Sequence, residues 1–312
     1  MPNESDAKLI DGFIQECNVM GLSQHTIEGY VSTLKLFSSF LQQKRYNLLA
    51  LNRDILKDYI SKLRNDGIKQ KTINNRFSAI SSFCDYGVFE HLMEKNIVLE
   101  IRKRYLRNYK ENDNNNSPRK LISIEQMSTF INAIFDTRDK AFALLFAKTG
   151  IRRRELVAID LDDINWTNLS IKLKPTHKRS NRVVFFDSET AMILKRWLNK
   201  RQIIAKEGCK ALFVSYDTGE RLNRSGVYNA FIKWAVQVGL HDPCSKRIED
   251  HFTPHCGRHW FTTHLRRAGM PRGFIQELRG DARDGAIDVY DHIDEEELRK
   301  SYIALIPQLG IE

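Results

Sequence analysis

HCGRHWFTTHL, residues 255–265, places three histidines, a cysteine and an arginine within eleven positions. Two histidines four apart on a helix suit a zinc ion, whereas a histidine and an arginine three apart can grip one phosphate. The same residues can also line a core. The rest of the chain discriminates among these readings.

The chain has 312 residues, room for two domains of about 100–200 residues each. A hydrophobic content of 42% with 10% aromatics can build ordinary globular cores. No stretch approaches the roughly 18 apolar residues of a membrane helix, which argues against a membrane partner. The opening residues, MPNESDAKLIDGF, lack the basic-then-apolar order of a secretory signal, so a cytoplasmic location is expected. Cys17, Cys84, Cys209, Cys244 and Cys256 form no C-x-x-C pair, which argues against a zinc ribbon and for reduced thiols. The 49 basic residues against 39 acidic ones leave a net charge of +10, the electrostatic footprint of a nucleic-acid partner.

Helical periodicity fills the first hundred residues. Leu9, Ile10, Phe13 and Ile14 form one stripe. Ile27, Tyr30, Val31, Leu34, Phe37 and Leu41 form a second, with Ser23 placed to cap it. Ile55, Leu56, Tyr59, Ile60 and Leu63 form a third, stopped by Gly67, and Ile73, Phe77, Ile80 and Phe83 a fourth. Residues 1–101 are therefore expected to form a small all-helical domain. Residues 102–120, RKRYLRNYKENDNNNSPRK, carry seven basic side chains and almost no aliphatic ones, the composition of a solvated linker that can also lie along a phosphate backbone. A second domain, 121–312, opens with SIEQ, a capping box ahead of Met127, Phe130, Ile131 and Ile134. Leu169–Leu173 and Arg182–Phe186 read as hairpin strands around the basic turn PTHKRSN. Helices follow over roughly 188–205 and 224–238, with ALFVS as a short extended piece between them. The expected fold is mainly α with a small antiparallel sheet. No G-x-x-x-x-G-K-[ST] loop is present, which speaks against an ATP-driven mechanism.

Four separated stretches carry chemistry-bearing side chains. In TGIRRRELVAIDLDDI, residues 149–164, Arg152 follows an apolar Gly-Ile pair and needs a partner, which Glu155 one turn later can supply. Arg153 and Arg154 suit a solvated face. The hairpin holds Lys174, Lys178, Arg179 and Arg182, which in isolation are ordinary turn cations. The third stretch is the histidine-arginine cluster. The fourth, ELRGDARDGAIDVYDHID at 277–294, carries Tyr290, which taken alone reads as a core residue beside Val289.

In this order the stretches resemble the tyrosine recombinases, the family of phage-type integrases and Xer-like site-specific recombinases. That family's signature runs T-G-[LI]-R-x-x-E-L, a hairpin lysine, H-x-x-R-H, L-x-G-H and a tyrosine in a Y-x-H context. Here the same positions read TGIRRREL, PTHKRSNR, HCGRH, LRGD and YDH. The spacing fits as well, with His255 103 residues after Arg152 and Tyr290 35 after His255. The N-terminal region resembles the family's helical core-binding domain, so the resemblance covers nearly the whole chain. RGD in place of RGH, with YDHIDEEELRKSY, resembles archaeal members. The resemblance implies a C-shaped clamp of a helical core-binding domain and an α+β catalytic domain. It implies Arg152 and Arg258 as the arginine pair, His255 as the first histidine, Tyr290 as the nucleophile and Lys178 as the hairpin lysine, with Lys174 as the alternative. One position departs: Asp281 stands where the family has histidine. An ionised aspartate accepts a hydrogen bond but cannot donate one, which leaves open whether it positions a neighbour or weakens the site.

The implied activity is site-specific strand transfer on double-stranded DNA through a 3′-phosphotyrosyl intermediate, without metal, ATP or other cofactor. A homotetramer on DNA would perform it, with residues 296–312 docking on a neighbouring subunit. The residue types suit that chemistry. A tyrosine can store the bond energy, guanidinium forks neutralise phosphate oxygens, a lysine can protonate the leaving 5′ oxygen and a histidine can shuttle protons. The opening cluster then becomes a phosphate grip. Zinc fits less well, because Pro254 interrupts the His251, His255, His259 spacing and H-x-x-x-H lacks a glutamate. His259 and His264 are expected to be structural, packing or hydrogen-bonding beside Trp260, Phe261 and Leu265, and Cys256 to be a small buried side chain. Tyr302, a rival nucleophile, lies in a stripe with Leu298 and Leu305. The alternative function is a catalytically impaired DNA-binding protein of the same fold, with Asp281 as its sign.

Overall fold

A computed structural model describes residues 4–106, 120–175, 182–245, 247–281 and 293–311. The chain divides into two compact units, Met1–Asp113 and Asn114–Glu312.

The first unit is built from α1 (Glu4–Val19), α2 (Gln24–Gln43), α3 (Arg53–Asn65), α4 (Gln70–Phe89) and α5 (Val98–Tyr105). The four expected stripes supply its core, in which Ile10, Phe13, Leu34, Phe37, Tyr59, Leu63, Phe77 and Phe83 are buried. Ser23 caps α2 by accepting the Thr26 N–H at 3.3 Å. Gly67 ends α3 with φ +71°, which lets the Ile68 N–H return to the Leu63 carbonyl at 3.0 Å. The structure differs from the expected linker at its start, because α5 takes in residues 102–105. Ile101 and Leu106 are buried, Arg102 donates to Ser78 Oγ at 2.9 Å, and Lys103 and Arg104 stay in solvent. One apolar residue per turn is enough to seat a short helix whose basic residues face outward. Residues 107–119 of that stretch lie outside the described residues.

The second unit is organised around α7 (Thr137–Thr149), which is buried on every side from Ala141 to Thr149. A helix apolar all round belongs at the centre of a core. It packs against α9 (Ser188–Ile204) and α11 (Pro254–Arg267), with α6 (Ile124–Asn132) and α10 (Arg224–Gln237) alongside. The capping box at Ser123 forms as expected, the Gln126 side chain accepting the Ser123 N–H and the Ser123 hydroxyl accepting the Gln126 N–H. Three short strands, β1 (Ile164–Asn165), β2 (Ser170–Lys172) and β3 (Val183–Phe185), form an antiparallel sheet in that order, with Ile171 opposite both Ile164 and Val184. β2 and β3 are the expected hairpin strands, while β1 is too short to leave a pattern. ALFVS forms isolated bridges at its ends, from Ala211 to Asp160 and from Val214 to Arg221, with the chain bending at Leu212 and Phe213 between them.

The C-terminal elements are α12 (Arg272–Arg279) and α13 (Glu295–Leu305). Phe261, Leu265, Leu278, Leu298 and Tyr302 form a second apolar cluster. The chain after α13 returns to this unit's own core. Glu189 accepts the N–H groups of Leu309 and Ile311, and the fully buried Lys148 ammonium donates to Asp187, Glu189 and the Pro307 carbonyl.

Candidate active site

Arg152 is delivered by a constrained turn. α7 ends at Gly150 with φ +61°, where a Cβ would lie 2.4 Å from Phe261 Cδ1, so only glycine fits. The chain runs extended through Arg152 into α8 (Arg153–Ala158). Glu155 accepts the Arg152 backbone N–H at 2.7 Å and its Nη1 at 3.0 Å. Arg182, at the start of β3, closes the other side of this carboxylate with bonds of 2.9 and 3.1 Å, and its Nε donates to the Leu278 carbonyl at 2.7 Å. Burial pushes the Glu155 carboxyl up, but the Arg182 and Arg152 bonds and charges outweigh it and hold the group below the usual carboxylate range.

Arg258 arrives from α11. A Cβ on Gly257 would lie 3.0 Å from the Phe146 Cβ, so the glycine in HCGRH lets α11 approach α7 closely. Arg258 Nη1 donates to the Gly150 carbonyl at 2.8 Å, and Nη2 donates to the Arg279 carbonyl at 2.8 Å and Asp281 Oδ1 at 2.9 Å. Arg152 reaches the same two acceptors, at 3.3 and 3.4 Å. Burial first, then the charges of Arg152 and Arg279, lower the Arg258 guanidinium to about 10, while Asp281 and Glu155 oppose that shift. Gly280, left-handed at φ +60°, ends α12 and turns Asp281 onto the arginines. Asp281 Oδ2 also pairs with Arg279 Nε at 2.9 Å.

His255 is exposed on α11, its ring 4.9 Å from that of His259 and nearly perpendicular to it. With Ile151, Arg152, Arg153, Tyr228, Thr253 and Pro254 it lines an open cleft of about 400 Å³. The structure thus brings Arg152, Arg258 and Asp281 into contact and places His255 on the same cleft as Arg152. Lys178 and Tyr290 lie outside the described residues. Lys174 is engaged elsewhere, paired with Asp160 and Asp163. Tyr302 is fully buried and donates to the Lys148 carbonyl at 2.9 Å, and burial drives its phenol well above the ordinary range.

Three side chains are placed otherwise than the sequence suggests. Arg182, which read as a turn cation, is buried and holds Glu155; the only signal was its position heading the apolar run VVFF. Arg153, which suited a solvated face, is half-buried over the Tyr228 ring at 5.1 Å, whereas Arg154 is exposed. His259, expected to pack or hydrogen-bond beside Trp260, is exposed with its ring against His255, because it lies four residues from His255 on the outer face of α11. His264 does pack, 4.5 Å from Trp260, and Cys256 is buried. α11 begins at Pro254, so His251 precedes the helix and its Nε2 meets the Ser245 carbonyl at 2.8 Å. The three-histidine spacing therefore does not share one helix.

The family model described as Phage integrase family matches residues 121–297, more than half of the chain, and that of the phage integrase N-terminal SAM-like domain matches residues 10–91. The chain is 25% identical over 302 residues to the tyrosine recombinase XerC of Proteus mirabilis, covering 96% of this chain and 94% of that protein. Its fold is similar to that of the Tn1549 transposon integrase in complex with circular intermediate DNA, with a TM-score of 0.64 at 17% identity over 94% of this chain and 98% of that one. It is also similar to a lambda integrase tetramer bound to a Holliday junction, with a TM-score of 0.67 at 15% identity over 92% of this chain and 80% of that one.

Proposed function

The chain belongs to the phage integrase family and is a tyrosine site-specific recombinase, and from that premise we propose that it cuts and rejoins duplex DNA through a 3′-phosphotyrosyl intermediate on Tyr290. The Tyr290 phenolic oxygen bonds to phosphorus as the bond to the 5′ oxygen breaks. The phenol proton passes to solvent or His255 and the departing oxygen takes one from Lys178, and attack by a 5′ hydroxyl, with the protons returned, reverses the step to rejoin the strand. Such phosphoryl transfer is mostly positioning and electrostatics. Arg152 and Arg258 hold the non-bridging oxygens, Lys178 protonates the leaving oxygen, His255 exchanges protons at the cleft, and Asp281 contacts the arginine pair. Because the tyrosine stores the bond energy, this scheme calls on no metal, nucleotide or other cofactor.

The observation that carries this reading is the convergence of Arg152 and Arg258, from different elements, on the same two acceptors within 3.4 Å. Residues 1–106, with α5 included, would serve as the core-binding domain, the rest of the basic stretch to 120 as a linker and 121–312 as the catalytic domain. The partner is double-stranded DNA, in the cytoplasm, and the working assembly is a homotetramer on it, as the lambda integrase tetramer supports. If residues 296–312 dock on a neighbour, each subunit must vacate its own Lys148 and Glu189 seat.

A nicked suicide duplex taken from the DNA flanking the gene tests the reading on a denaturing gel. Wild type should form a protein–DNA adduct that Tyr290→Phe does not form. An adduct that survives in Tyr290→Phe moves the nucleophile elsewhere. Wild type that binds the duplex without any adduct supports the second reading, a catalytically impaired DNA-binding protein, which the carboxylate of Asp281 on the arginine pair favours.

A further inference from the structure

Asp281 sets a negative charge on the two guanidiniums that the proposed reaction needs for a phosphate. Its Oδ1 accepts from Arg258 Nη2 at 2.9 Å and from Arg152 Nη2 at 3.4 Å. One oxygen shared by two forks from separate elements is the bonding that a non-bridging phosphate oxygen makes. The forks have supports of their own: Glu155 and the Arg279 carbonyl for Arg152, the Gly150 and Arg279 carbonyls for Arg258. Loss of the Asp281 carboxylate would therefore leave both guanidiniums anchored. The Asp281 side chain is 30% exposed, against 4% for Arg258 and 33% for Arg152, so solvent reaches the carboxylate and leaves it room to turn aside. Its backbone stays fixed by the left-handed Gly280 and by an N–H bond to the Gln276 carbonyl at 3.1 Å.

We propose that Asp281 is an internal anion that occupies the arginine pair in the DNA-free protein and competes with the scissile phosphate for it. The forks are then charge-compensated before substrate arrives, and a phosphate must displace the carboxylate or bind beside it at a cost. A histidine at this position would donate to the same phosphate, whereas the ionised aspartate can only accept. The identity of the anion as a DNA phosphate rests on the recombinase reading, while the competition is a property of the arginine pair itself.

Titration of the full-length protein with inorganic phosphate tests this, read as protection of the tryptophan fluorescence against thermal unfolding. Asp281→Asn keeps the shape and one acceptor oxygen but removes the charge, and Asp281→Ala runs beside it in case one variant does not fold. The phosphate Kd should fall about tenfold, the equivalent of one charge-assisted hydrogen bond at its weaker end. That gain should vanish in Asp281→Asn/Arg152→Ala. Equal or weaker phosphate binding in the Asp281 variants overturns the proposal, and so does a gain that persists without Arg152. Asp162→Asn, which removes a charge from a side chain 76% exposed, controls for net charge, and an equal gain there overturns it too. Adduct yield on the suicide duplex is measured in parallel. Its absence from every protein would sink the recombinase reading, while the phosphate titration would still decide the competition.

Discussion

Glu155→Gln probes the joint on which the arginine pair is built. Glu155 accepts four bonds, two from Arg152 and two from Arg182, and the side chains of Glu155 and Arg182 are each only 2% exposed. Removing one partner of such a buried pair costs about 3–5 kcal/mol, because the other charge is left uncompensated. Glutamine keeps the volume and one acceptor oxygen, which places the loss near the lower end, about 3 kcal/mol. All four tryptophans, Trp166, Trp197, Trp234 and Trp260, lie in the second unit, so their fluorescence reports its unfolding alone. With a urea m-value of about 2–3 kcal/mol/M, the midpoint should fall by about 1 M at pH 7. The pH dependence has a definite sign. The folded-state pKa of Glu155 is lowered, so its stabilisation is complete above the unfolded value of about 4.3 and is lost as pH falls through the folded value. Glutamine does not titrate, and the gap between wild type and variant should therefore close as pH drops below about 4. A gap under about 1 kcal/mol at pH 7, or one that stays constant down to acid pH, would refute the argument that this carboxylate is the electrostatic anchor.

Two further variants separate packing from chemistry. Gly150→Ala forces a left-handed alanine, at about 1–2 kcal/mol, and drives its Cβ to 2.4 Å from the Phe261 ring, adding about 1–3 kcal/mol of overpacking. Thermal unfolding should move down by that sum, and adduct yield should drop with it because the Gly150 carbonyl holds Arg258. Tyr302→Phe loses one buried hydrogen bond to the Lys148 carbonyl, about 1–2 kcal/mol, and should leave adduct yield unchanged. Loss of the adduct in a folded Tyr302→Phe would make Tyr302 the nucleophile.

What the sequence made legible was whatever repeats locally. The stripe Ile55, Leu56, Tyr59, Ile60, Leu63 and the box Ser123–Gln126 are fixed by neighbours three and four residues apart, so α3 and α6 can be read without knowing the fold. β1 could not be read, because two residues carry no alternation, and the second half of α5 ran into a basic stretch, its seat being Val98, Ile101 and Leu106. At the site, Glu155 was legible as the partner of Arg152 one turn away, while Arg152, Arg258 and Asp281 were named through the family resemblance, and the bonds that join them from a distance were not legible. Arg182 returns to Glu155 from 27 residues away, and the Arg279 carbonyl and Asp281 reach Arg152 across 127 and 129. Contacts at such separation leave no periodicity. Lys178 and Tyr290 still rest on the sequence.

The two carboxylates of the site do different work, and their surroundings say which. Among the described residues, Arg152, Arg182, Arg258 and Arg279 form one connected network with Glu155 and Asp281, four guanidiniums facing two carboxylates. A phosphodiester brings one negative charge and gathers a second as it approaches the pentavalent transition state, so excess positive charge on the forks favours the transition state over the ground state. Glu155 is fixed by four bonds and sealed from solvent, which makes it a permanent part of the balance. Asp281, just past the glycine that ends α12 and 30% exposed, is the part that can exchange. If DNA turns it aside, the excess on the forks rises by one at the moment a phosphate occupies them. Under that arrangement the arginine pair is strongest for phosphate only once phosphate has entered, and it is quenched by the protein's own anion before then.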